Sequence, residues 1–150
     1  MNKLAALAQF LYALDLVASE QIDAWAEDMS LVPRYQSRGD GGVILFERWY
    51  TAWFVFERWP HQNIDVDILL SHIMVWLLAN DPERDRDRGE TDPEIDVDIL
   101  DNNLADLTVT IRFREEVGIV PDAAGAIEYQ GQRWRVETPA VWPAEAGEIA

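Results

Sequence analysis

The sequence contains no cysteine. A disulfide framework, a thiolate metal site and a cysteine nucleophile are therefore excluded together, and the usage fits a reducing compartment. Basic residues are scarce, with 12 Lys and Arg against 28 Asp and Glu and a formal net charge of −16. Binding nucleic acid through its phosphates needs clustered cations that release counterions, so direct phosphate-backbone contact is not expected. No apolar stretch reaches the roughly 20 residues of a membrane-spanning helix, so no membrane partner is expected either. Phosphate-cradling glycine motifs, a Gly-x-Ser-x-Gly elbow and a Ser/His/Asp set are missing. The only histidines, His61 and His72, lack metal-ligand spacing. The expectation is a protein without catalytic residues, metal or cofactor, and not an enzyme.

What is present is apolar mass. Hydrophobic residues make up 49% of the 150, which supports one domain with a real core and excludes disordered and collagen-like classes. We expect a single α+β domain over 1–137, a small antiparallel sheet flanked by two main helices. The Pro-, Ala- and Glu-rich residues 138–150 read as a flexible tail.

The hexapeptide Ile-Asp-Val-Asp-Ile-Leu occurs twice, at Ile64 to Leu69 and at Ile95 to Leu100. The flanks share nothing, so this is not a duplication. After the first copy the chain stays apolar through Ala79 with only Ser71 and His72 interrupting, which predicts a helix enclosed on all sides. Asn63 is its candidate N-cap, and Asp65 and Asp67 suit the positive end of the macrodipole. Pro82 and the charged run after it end the helix. The second copy alternates, as does Leu107 to Phe113, and Asp101-Asn102-Asn103 lies between. This predicts a hairpin. Ile99 must face Leu107 or Ala105 to keep both apolar rows on one side, and the first register is preferred because the second opposes Asp98 to Asp106. An odd-length loop around Asn103, with an Asn in the left-handed region, follows.

Upstream, Leu4, Leu7, Ala8, Leu11 and Leu14 form one helical stripe, so Leu4 to Ala18 reads as an amphipathic helix, not a signal peptide. Gln21 to Ser37, with Pro33, reads as an edge strand or two short ones. Arg38 to Gly42 is a turn, and its Arg-Gly-Asp tripeptide needs no other meaning. Val43 to Trp59 is the strongest strand signal and is apolar on both faces, which predicts burial on both sides. The second face of such a strand needs more chain or a neighbouring subunit. Trp49, Trp53, Phe54, Phe56, His72 and Trp76 are the candidate core or subunit-interface residues. Near the C-terminus, Val117 to Val120 and a hairpin around Gln130-Gly131 form another small antiparallel unit. The acids between Asp81 and Asp101 lack EF-hand order, and Asp96, Asp98 and Asp101 read as a solvated strand face instead of a Mg²⁺ cluster.

The element order and the segment Glu94-Ile95-Asp96-Val97-Asp98-Ile99-Leu100-Asp101-Asn102-Asn103-Leu104-Ala105-Asp106-Leu107, with Glu115-Glu116-Val117 ending its strand, resemble the tail completion protein R (GpR) family of contractile-tailed temperate phages. The resemblance spans Leu4 to Val120. It implies a tail-terminator-like structural protein of the virion, finishing the head-proximal end of the tail as a hexameric ring of its own copies. Tail tube and neck proteins would then be its partners. A negative lumen would let DNA pass without sticking. The competing reading of the same acidity is a DNA-mimic inhibitor of a DNA-binding protein.

Overall fold

The computed structural model describes residues 1–82, 84 and 92–137. The chain is mostly antiparallel sheet with two helices, a larger sheet than the α+β expectation allowed. The helices are α1 (Asn2–Leu14) and α2 (Val66–Asn80). The strands are β1 (Ile22–Ser37), β2 (Val43–Pro60), β3 (Glu94–Ile99), β4 (Leu104–Pro121), β5 (Ile127–Tyr129) and β6 (Gln132–Glu137). Their order is β1-β2-β4-β6-β5, with β3 pairing β4 off this path. The described residues form two compact units. One comprises Met1–Glu27 and Thr51–Phe113, the other Asp28–Tyr50 and Arg114 to Glu137. The expected tail from 138 onward and most of the charged run after Pro82 lie outside the described residues.

In the first unit α1 buries Leu7, Ala8 and Leu11 of the expected stripe, but it runs from Asn2 to Leu14 and stops short of the expected Ala18. A left-handed Asp15 closes the helix, donating its N–H to the Tyr12 carbonyl. The core gathers Tyr50's neighbours on β2, namely Ala52, Phe54 and Phe56, together with Leu69, Ile73, Trp76 and Leu77 of α2 and Leu107, Val109, Ile111 and Phe113 of β4. Strict alternation on β2 breaks at Arg58, whose φ is 56°. That bulge swings Trp59 onto the buried face beside Phe56. Gln21 braces the bulge through the Glu57 and Arg58 carbonyls.

Three expectations are corrected here. The opposite face of β2 is only half-buried at Thr51, Trp53 and Val55, so the strand is not buried on both sides within the chain. The first hexapeptide does start α2, but its N-cap is Asp65, which accepts the Asp67 N–H at 2.9 Å, and not Asn63. The second hexapeptide is β3, yet Ile99 faces Ala105 and Asp98 faces Asp106. The turn decides this register. Asp101 accepts the N–H groups of both Asn103 and Leu104 at 2.8 Å, while Leu100 and Asp101 donate to the Leu104 carbonyl. The loop is odd in length but centres on Asn102, and neither asparagine adopts positive φ.

In the second unit, β1 and β2 meet at the predicted Arg38–Gly42 turn, where Gly39 and Gly41 both sit at φ 88°. β1 ends the strand order, as an edge strand carrying Pro33 should. The segment Val117 to Val120 is not a separate strand but the continuation of β4. The predicted hairpin is present as β5 and β6, turning at left-handed Gln130 and Gly131, and β6 adds to the same sheet through β4.

Candidate assembly surfaces

The six aromatic and histidine candidates divide by position. Phe54, Phe56 and Trp76 are core, at 0%, 1% and 5% exposure. Trp76 meets Phe113 edge-on, which ties α2 to β4. Trp53 lies on the half-buried face of β2 and stacks on Trp25 of β1, ring planes 9° apart at 5.9 Å. Trp49, in the second unit, lies under the guanidinium of Arg114 at 5.9 Å. His72 is half-buried, edge-on to Phe10. It shares with Asp67, Ile68, Ser71 and Val75 a shallow groove of about 520 Å³ on α2.

The charged groups that are buried satisfy one another. Glu47 accepts from Arg34 at 3.2 Å and Arg114 at 3.3 Å, and Glu115 accepts from Arg48 at 3.0 Å and from the Tyr50 hydroxyl. In the first unit Asp81 joins Lys3 and Arg84, both at 2.7 Å. These pairs tie neighbouring elements within each unit together. Among the described residues no group of three or more His, Asp or Glu is arranged to hold a metal ion. Asp96 and Asp98 are exposed on β3, while Asp101 spends its carboxylate on the turn. The carboxyls of Asp40 and Asp101 lie below the usual aspartate range. The Gly42 N–H holds Asp40 down, with Arg38 adding to it. The Asn103 and Leu104 N–H groups hold Asp101 down.

Several large apolar side chains are left uncovered. Helix α2 docks by Leu69, Ile73, Trp76 and Leu77, and its other side presents Ile68, Met74, Val75 and Leu78 at 46%, 52%, 64% and 77% exposure. It is therefore docked, not enclosed. Strand β3 is exposed along its length, including Ile95, Val97 and Ile99. On β1, Met29, Leu31, Val32 and Tyr35 are exposed as well. Exposed large apolar side chains clustered on one element mark candidate protein contacts. The all-round apolar pattern of α2 already signalled its outer stripe. Nothing in the alternation of β3 distinguished a covered row from an uncovered one, so those residues escaped the sequence reading.

No helix among the described residues is long and apolar enough to cross a membrane. The sequence profile of P2 phage tail completion protein R (GpR) matches residues 1–138. A phage relative is also similar: an uncharacterized 19.2 kDa protein from the rep-hol intergenic region of Haemophilus phage HP1 (strain HP1c1). It is 34% identical over 122 residues, 81% of this chain and 73% of that one. No solved structure matches.

Proposed function

This chain belongs to the P2 phage tail completion protein R (GpR) family, and from that premise we propose that it finishes the head-proximal end of a phage tail as a ring of its own copies, joining tube and neck. Membership carries the tail completion role and the place in the virion; the ring and its contacts are our reading. The observation that supports it is the uncovered apolar surface of α2 and β3. A subunit that completes its burial only among neighbours leaves such faces open. The protein acts as a structural part and not as an enzyme, is assembled in the host cytoplasm, and folds as one domain whose long strands β1, β2 and β4 run through both compact units.

Deleting the gene tests the reading. Tails of irregular length, or tails that fail to join heads, are the expected result, and normal infectious particles from the deletion would sink it. The acidic DNA-mimic alternative makes a different prediction: a basic DNA-binding protein is captured by the purified chain, which then shows no affinity for tail tubes.

A further inference from the structure

We propose that neighbouring copies join by strand addition, the outer edge of β3 in one copy pairing with the Met29 to Ser37 stretch of β1 in the next. This rests on the ring reading and specifies its contact. Among the described residues both strands are sheet edges, since β1 ends the strand order and β3 pairs with β4 alone. Leu100 donates to the Leu104 carbonyl, and with Ile99 opposite Ala105 the alternation turns the N–H groups of Ile95, Val97 and Ile99 away from β4. The apolar side chains of the same three residues are 38%, 44% and 60% exposed. No Pro, Gly or Lys blunts this edge.

Charge selects the occupant. Residues directly opposite one another in an antiparallel pair share a face, so β3 laid against β3 of a second copy cannot match its apolar row without setting Asp96 and Asp98 against acids. An isologous contact is disfavoured on that ground. The β1 stretch from Met29 to Ser37 contains no acid, presents Met29, Leu31, Val32 and Tyr35, and has Arg34 as its one charged residue. Any register that keeps β3 within it opposes no two acids. Pro33 withholds one donor and Tyr35, at φ 51°, interrupts the extended edge, so within this stretch the pairing falls on Met29 to Arg34. The wider charge distribution points the same way. Among the described residues, the unit of 1–27 and 51–113 holds 4 Lys and Arg against 14 Asp and Glu, whereas the unit of 28–50 and 114–137 holds 6 against 8. The contact thus sets the strongly acidic surface of one copy on the nearly neutral surface of another. Because the two surfaces differ, each copy keeps one of each for its neighbours, which is the head-to-tail contact a closed ring requires.

Cross-linking tests this cleanly, because the chain has no cysteine of its own. Leu31→Cys and Val97→Cys are introduced together and singly, and assembled tails are treated with a short bismaleimide. The double variant is expected to give a ladder of cross-linked copies on a denaturing gel, and neither single variant a cross-linked dimer. Dimers from Val97→Cys alone would establish the isologous contact and overturn the proposal. No ladder from tails that contain several copies of the chain overturns the contact and leaves the ring standing, whereas one copy per tail overturns both. A second variant, Val97→Pro, removes an outward N–H from the edge. The isolated chain should melt as wild type while tail completion falls at least tenfold, and full completion would count against strand addition. Should Val97→Pro fail to fold, the cross-linking result decides.

Discussion

Asp98 of β3 lies directly opposite Asp106 of β4. Charge alone favours Ile99 against Leu107, a register that avoids this pair, but the fold accepts it for two reasons. Asp106 is engaged by the Arg58 N–H at 2.9 Å, so part of its charge is answered at the β2 bulge, and Asp98 stands in solvent. The Asp101 turn then outweighs what repulsion remains. Replacing Asp98 by Thr removes the repulsion and adds a good strand former, so the isolated chain should gain about 0.2 to 1 kcal/mol, near the low end because the site is exposed. The urea midpoint measures it, and an unchanged or lower midpoint would show that the pair is already fully screened.

The same turn carries a pH dependence. The Asn103 and Leu104 N–H groups bond the ionised Asp101 carboxylate and lower its pKa in the folded state. A depressed carboxyl contributes stability that is fully present above its unfolded value of about 3.9 and is lost as pH falls through the lower folded value. Amide proton shifts of Asn103 and Leu104 should therefore titrate together with a midpoint below about 3.9. Asp101→Ala should abolish that titration. A midpoint at or above the ordinary value would remove the side chain from its role in setting the register.

Much of this was legible in the sequence because period and punctuation are local. The α1 stripe, the Arg38 to Gly42 turn, the Gln130-Gly131 hairpin and the opposite fates of the two hexapeptides all follow from neighbours within a few residues. The register of β3 did not, because it hinges on which side chain bonds the turn, and Asp101 and Asn103 are equally good candidates on composition. The half-buried second face of β2 was overestimated for a related reason. Apolar letters state what can be buried, whereas burial also depends on what lies opposite, and Trp53 stays half-buried even with Trp25 of β1 stacked on it. The candidate surface was the least visible part. Ile95, Val97 and Ile99 read as core because their row matches that of β4, and the structure shows them exposed instead, with no strand among the described residues on their outer edge.

Glu47 is the hinge of the charge cluster in the second unit, since it accepts from both Arg34 and Arg114. Glu47→Gln keeps the shape and removes the charge, leaving the buried Arg114 without this counterion. Removing one partner of a buried pair typically costs about 3 to 5 kcal/mol. A loss at the lower end is expected, because Arg34 is partly exposed and can turn to water. Chemical unfolding would report it, and a change under about 0.5 kcal/mol would mean that solvent already screens the cluster.

Gly125 is held by space, not by its dihedral angle. A Cβ there would meet the Trp134 carbonyl oxygen at 2.0 Å and its carbon at 2.2 Å, both backbone atoms of β6 that have no rotamer to escape by. Gly125→Ala should displace the β5–β6 hairpin and cost about 1 to 3 kcal/mol. Loss of the buried Trp134 fluorescence environment should accompany it. An unchanged melting curve would show that the Asp122 to Gly125 turn yields freely.

Helix α2 allows folding and assembly to be separated on one element. Trp76→Ala empties a core position packed on Phe113 and should cost about 3 to 5 kcal/mol. Completion would then fail for want of folded protein. Val75 and Leu78 lie on the other side, exposed at 64% and 77%. Replacing both by Ser removes little buried area from the isolated chain, so its stability should stay within about 0.5 kcal/mol of wild type. If this stripe is covered in the virion, the double variant folds normally yet fails to restore tail joining to a deletion strain. The two measurements must be made on the same preparation, melting first and complementation second. A stable double variant that complements fully would show that the outer stripe of α2 stays in solvent, and the surfaces that complete the tail would have to be sought on the strand edges alone.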